Sequence, residues 1–190
     1  NRHLSPPSHE WTLMDQETPP REVKERFANG HGPIVSSEHL SRSAQELSEF
    51  EYGLIIAGHA FNRWMIRCMT ACGLAELSSL DILVLHSVNH RERAKRQADI
   101  SLVLNIDDTH TVSYALKKLA KLGLVSGEKR GKETFFRTTS QGHATCSRYA
   151  EIREACLVES LNTMGIGRDD MHQIAGALRA MSGLYDQAAR

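Results

Sequence analysis

The chain has no apolar run approaching the ~18 residues that crossing a bilayer takes, and its opening, Asn1 to Trp11, has no basic head followed by an apolar segment. Neither membrane spanning nor secretion is expected; a cytoplasmic protein is. Cysteine is scarce. Cys68, Cys72, Cys146 and Cys156 form no CxxC pair and no dense ladder, which fits free thiols in a reducing compartment. Of only 5 prolines, four stand in the pairs Pro6-Pro7 and Pro19-Pro20 and the fifth follows Gly32. There is no Gly-rich phosphate loop and no nucleophile elbow, and the 10 histidines are scattered, so an enzyme is not expected.

Net charge is also lacking, but only as a sum. Between Ser87 and Arg137 stand eleven Lys/Arg against six Asp/Glu, a local +5 that leaves −5 for the rest. A basic middle between acidic flanks suits the presentation of one positive face to a polyanion. With 190 residues, 41% of them hydrophobic, the chain is long enough to bury the core of one ordinary domain.

Residues 1–42 read as an irregular arm, poor in apolar periodicity and broken by the proline pairs and by Asn29-Gly30-His31-Gly32-Pro33. Ser43 with Glu46 forms a capping pattern, and Leu47, Phe50, Leu54, Ala57, Phe61, Trp64, Cys68 and Cys72 recur at helical spacing. Ile55, Met65 and Met69 widen that stripe until two surfaces are needed to cover it. Cys146, Tyr149, Ile152, Cys156, Leu157 and Leu161 mark another helix, Gly165-Ile166-Gly167 ends it, and Met171, Ile174, Leu178, Met181 and Tyr185 mark a last one.

The basic middle is built of short capped pieces. Ser78-Ser79-Leu80-Asp81 opens a helix through Leu85, the polar run Asn89 to Arg96 links onward, and 97–104 forms a second helix ending at Asn105. Asp107 or Asp108 caps a third, with Val112, Ala115, Leu116 and Leu119 on its apolar side and Gly123 as its stop. Val125 to Glu128 and Glu133 to Thr138 then carry β-formers around Lys129-Arg130-Gly131-Lys132, which predicts a hairpin. Thr138-Thr139-Ser140-Gln141 is a further capping box.

Helix, turn, helix and basic hairpin is an order suited to DNA. The major groove, about 12 Å wide, admits one α-helix whose N-terminal side chains read base edges. Thr109, His110, Thr111, Ser113 and Tyr114 offer hydrogen-bonding groups there, and Lys117, Lys118 and Lys121 continue toward phosphates. In the hairpin, Lys129, Arg130 and Lys132 form a second basic contact, with Arg130 at the tip. Asp107 and Asp108 are assigned to capping, where the helix dipole favours a carboxylate.

These residues carry a resemblance. Leu80 to Leu157, with Ile100 to Asn105 as first reader helix, Thr111-Val112-Ser113-Tyr114-Ala115-Leu116-Lys117-Lys118-Leu119 as recognition helix, Gly123-Leu124-Val125 entering the wing and Thr138-Thr139-Ser140-Gln141-Gly142 after it, resembles the winged-helix transcription regulators of the MarR type. The resemblance implies a mainly α-helical winged helix-turn-helix fold with a two-stranded β wing and long N- and C-terminal dimerisation helices. The divisions are a dimerisation helix at 43–75, the winged DNA-binding region at 78–138 and C-terminal dimerisation helices at 139–190. It implies a homodimer on a pseudo-palindromic operator of double-stranded DNA, commonly a repressor, with a possible small-molecule effector. The wing, Gly127-Glu128-Lys129-Arg130-Gly131-Lys132-Glu133, lacks the family's usual Asp-x-Arg signature, which marks a divergent branch.

Competing readings are blander. The winged helix could dock a protein instead of nucleic acid, as a dimeric scaffold. Cys68 and Cys72, one turn apart, read as core filling before redox sensing. His86 and His90 have metal-ligand spacing but no third ligand, and read as polar residues at a helix end. Leu54, Phe61, Trp64 and Met65 either line an effector pocket or simply pack.

Overall fold

The computed structural model describes residues 45–158, 160–161, 164–165 and 167–190. The arm at 1–42 and the Ser43 cap lie outside them. The chain divides into two units, 1–54 and 55–190. Helix α1, Gln45–Ala71, opens in the first, where Gln45 Nε2 donates to Glu49 Oε1 at 3.4 Å.

In the second unit the closing turns of α1 bury Met65, Cys68 and Met69, while Ile55, Ile56 and Phe61 on its earlier turns stay exposed. Helix α2, Ser79–Asn89, begins with a capping box: Ser78 N donates to Asp81 Oδ2 at 2.8 Å and Asp81 N to Ser78 Oγ at 3.2 Å. It outruns the expected end at Leu85 by a full turn, because Ile82, Val84, Leu85 and Val88 are all buried and burial drives propagation. A short 3-10 turn, His90–Glu92, leads to a strand, β1, at Lys95–Arg96.

Helix α3 spans Gln97–Leu104 and buries Ile100. It stops at Asn105, whose φ of 53° is left-handed, a conformation that Asn tolerates because its short amide bonds locally. Helix α4, Thr109–Lys121, starts at Asp108, which accepts from His110 N at 2.9 Å, so of the two candidate acids Asp108 is the cap. Val112, Ala115, Leu116 and Leu119 are all buried. The helix closes at Gly123, φ 72°: Gly123 N donates to Ala120 O and Leu124 N to Leu119 O, at 3.0 and 2.9 Å.

Strand β2, Val125–Arg130, pairs antiparallel with β3, Glu133–Thr138, in register from Val125 opposite Thr138 to Arg130 opposite Glu133. The turn is therefore only Gly131-Lys132, with Gly131 at φ 63° in the first central position, where a tight hairpin requires the mirror-image backbone. Lys129 and Arg130 belong to the strand. The wing also gains a third strand, since β1 pairs with β3 and gives the order β1-β3-β2. Two polar residues have no period to announce them.

Helix α5, Ser140–Arg153, runs on through a π turn at Glu154–Val158. Its cap is Thr139, not Thr138: Thr139 Oγ1 accepts from Gly142 N at 3.0 Å. The shift follows from packing, because Gly142 lies against the backbone of Leu124, where a Cβ would meet Leu124 O at 2.0 Å. Helix α6, Arg168–Ala188, begins where Gly167 N donates to Asp170 Oδ2 at 2.9 Å. Met171, Ile174, Leu178 and Leu184 remain exposed along it. Among the described residues no helix is long and apolar enough to cross a membrane.

The core gathers α1's last turns, α2, Ile100, α4's apolar side, Leu124, Val125, Cys146 and Tyr149. Burial pushes the thiols of Cys68 and Cys146 up to about 11, too high for a reactive thiolate at neutral pH. Met65 is core and Trp64 packs against it, while Leu54 and Phe61 are exposed.

His86 stands in the last turn of α2, as expected, but it is packed inward. Its ring packs edge-on to Tyr149, centroids 4.6 Å apart, and its Nε2 finds no partner among the described residues. Burial holds its pKa below the ordinary value, so the folded chain keeps it neutral while the unfolded chain protonates it near pH ~6.5. The stability this provides is complete above that pH and is lost as pH falls toward the folded value. The melting temperature should drop between pH 7 and pH 5, and His86→Phe should flatten part of that drop. An identical profile in the variant would exclude His86 as a contributor.

Candidate nucleic-acid interface

The side of α4 opposite its buried residues is polar. Thr109, His110, Lys117 and Lys121 are exposed, and Tyr114 is 70% exposed, far more than a packing tyrosine would be. Lys117 Nζ lies 5.6 Å from the Tyr114 ring centre, a cation over an aromatic face. Ser113 is half-buried and looks into an open groove of about 480 Å³ between α4 and the sheet, shared with Arg96, Gln97, Lys117, Gly127 and Thr134. Thr111 is turned to its own helix start, where Oγ1 donates to Asp108 O at 2.7 Å.

The cations divide into free and engaged. Lys117, Lys121, Lys129 and Lys132 are exposed and make no ion pair among the described residues. Arg130, expected at the wing tip, is the last residue of β2, beside the Gly131-Lys132 turn. Its guanidinium donates to Glu128 Oε2 at 2.6 Å and stacks 5.2 Å from the Phe135 ring centre. That bond holds the Glu128 carboxyl below its ordinary value. Lys118, expected to continue the phosphate contacts, keeps a half-exposed side chain, and its ammonium donates to Asp81 Oδ2 at 2.7 Å and Glu76 O at 2.6 Å.

Other residues that hold this face together were not singled out by the sequence. Arg96 bonds Asp99 in α3 at 2.8 Å and Glu133 in β3 at 3.1 Å, fastening the wing to the helix pair. Gln97 Nε2 donates to Thr109 O at 2.6 Å, joining the start of α3 to the start of α4. Lys95 gathers the carbonyls of Val88, His90 and Arg93 and so closes the end of α2. Of these, the Arg96/Asp99 spacing ahead of a helix was a readable signal. The long-range partners had none.

Residues 77–142 match the winged helix DNA-binding domain family. No curated protein matches the chain. Among solved structures it is similar to a MarR-family regulator of Neisseria meningitidis, at 18% identity and TM-score 0.60, covering 75% of this chain and 95% of that one. A mutant MarR of E. coli complexed with operator DNA is similar at 15% identity and TM-score 0.60, with 74% and 99% covered. A Staphylococcus aureus MarR in complex with salicylate and kanamycin is similar at 13% identity and TM-score 0.60, with 80% and 99% covered. This chain has the winged-helix fold of the MarR-family regulators.

Proposed function

We propose that the chain is a sequence-specific regulator of transcription that binds double-stranded DNA as a homodimer, acting as a repressor on a pseudo-palindromic operator. The observation that carries this reading is the two-sidedness of α4. Its apolar side is spent entirely on the core, and Thr109, His110, Tyr114, Lys117 and Lys121 face solvent beside a basic hairpin. A helix so disposed fits a major groove, with Thr109, His110, Ser113 and Tyr114 at base edges and Lys117 and Lys121 at phosphates. Lys129 and Lys132 of the wing supply the second contact. The similar E. coli structure holds operator DNA, which supports the reading by analogy of fold.

Exposed apolar side chains on α1 (Ile55, Ile56, Phe61) and α6 (Ile174, Leu178, Leu184) support a second copy as the partner that covers them. A two-fold pair would set half-sites one duplex turn apart, about 34 Å. The second reading, a dimeric scaffold for a protein partner, draws on Leu102 and Val103 of α3, which are 82% and 75% exposed.

Recovery of bound genomic fragments tests the proposal: the fragments should share an inverted repeat. Lys117→Ala and Lys132→Ala should weaken binding on every sequence, whereas Ser113→Ala and Tyr114→Ala should alter which operator is preferred, by about 1–3 kcal/mol at the bases concerned. Equal losses on operator and random DNA for Ser113→Ala and Tyr114→Ala would remove them from base reading. A dimer indifferent to all fragments at low salt would favour the scaffold.

A further inference from the structure

Lys118 stands on the reading helix, yet its ammonium is bonded to groups of other elements. It bridges two points outside α4: Asp81, at the first turn of α2, and the carbonyl of Glu76, in the connection between α1 and α2. The Asp81 side chain is nearly buried, at 8% exposure, and the same Oδ2 that receives Lys118 also accepts from Ser78 N and Ser78 Oγ, each at 2.8 Å. Burial pushes the Asp81 carboxyl up, but the bonds from Lys118 and Ser78 outweigh it and hold it below its ordinary value. One oxygen thus fixes the start of α2, the corner that follows α1, and the third turn of α4.

We propose that Lys118 is a positioning residue: through Asp81 and Glu76 O it sets the angle of the reading helix against the α1–α2 corner, and it carries displacements of α1, the helix assigned to the dimer, to the base-reading side of α4. The inference rests on the DNA-binding reading and deepens it by naming how the dimer half and the reading half are coupled. Val112, Ala115, Leu116 and Leu119 seat α4 in the core, and Gln97 holds its first turn to α3. The charged, short contact of Lys118 adds a directional restraint at the third turn, because charge-assisted bonds are shorter and more directional than neutral ones. For Lys118 to reach a phosphate it would have to abandon a nearly buried carboxylate, which is strongly unfavourable.

The competing assignment is a phosphate anchor, and Asp81 separates the two. With the full chain and a recovered operator fragment, binding is measured by gel shift across a series of salt concentrations for Lys118→Met, Asp81→Asn, Lys118→Arg and the double variant Asp81→Asn/Lys118→Met. A positioning residue predicts that Lys118→Met and Asp81→Asn each weaken operator binding about tenfold, leave random-sequence binding and the salt slope unchanged, and do not add in the double variant. Lys118→Arg should recover much of the loss. An anchor predicts that Lys118→Met weakens all DNA and lowers the salt slope by about two per dimer, with Asp81→Asn neutral or tighter because it frees the ammonium. That pattern would overturn the proposal.

Amide hydrogen exchange on the free protein supplies a reading independent of DNA. Faster exchange in α4 of Lys118→Met and Asp81→Asn, with α5 unchanged, supports the coupling. Unchanged exchange in α4 overturns it. Wild-type protein that binds no DNA would end the DNA-binding reading, and the exchange result would still decide the strut.

Discussion

Raising salt from 50 to 200 mM should weaken operator binding roughly 10⁴-fold. The figure comes from counting cations of this face that have no carboxylate partner among the described residues. Lys117, Lys121, Lys129 and Lys132, present in both copies of a dimer, can neutralise about eight phosphates, and each released counterion contributes about 0.9 to the slope of log affinity against log salt. The expected slope is therefore about −7. Including Lys118 and Arg130 would raise it to about −11, but Lys118 is bonded to Asp81 and Arg130 to Glu128. A titration at four or more salt concentrations distinguishes the two slopes easily. A slope of about −11 would mean that both groups leave their carboxylates for DNA, and a slope of about −1 would mean that the basic face does not meet a phosphate backbone at all.

Gly142→Ala, at the start of α5, should produce a large loss of stability. A Cβ there would lie 2.0 Å from Leu124 O, 2.9 Å from Leu124 C and 2.7 Å from Thr138 Cγ2. Two of those atoms are backbone, so no side-chain rotation relieves the clash, and α5 must separate from the strand entry. The same carbonyl of Leu124 accepts from Thr139 N at 3.1 Å, and the Thr139 hydroxyl donates to the neighbouring Gly123 O at 2.6 Å, so the cap of α5 is disturbed with the contact. Overpacking and a disturbed cap together should cost about 3–4 kcal/mol, a fall of roughly 10 °C in melting temperature for a chain of this size. Gly183→Ala in α6, where nothing lies within 4 Å, is the control and should stabilise by up to ~1 kcal/mol. If thermal unfolding by circular dichroism ranks the two variants the other way, the packing of α5 on Leu124 is wrong.

Much of this was legible one element at a time. Asp107 or Asp108 ahead of Val112, Ala115, Leu116 and Leu119 identified α4 and its buried side and narrowed its cap to two residues, because capping and helical periodicity are set by residues within a few positions of one another. Gly123 announced the end of α4 for the same reason. The cap of α5 was misplaced by one residue, since Thr138 and Thr139 are equivalent to a pattern and only the approach of Gly142 to Leu124 separates them. Strand β1 was missed outright. Its two residues become a strand only by pairing with Phe135 and Phe136, some forty positions later.

What the order of residues determined alone was the kind of molecule: a run of capped helices, a basic hairpin and a helix whose one side is apolar and other side polar. Only the tertiary structure decided which positive charges remain available. Lys117 and Lys118 are neighbours of the same type, yet one faces solvent and the other meets Asp81, 37 residues away in the chain. Periodicity assigns a residue to a face, but an ion pair depends on two distant faces arriving together, and that is settled by packing.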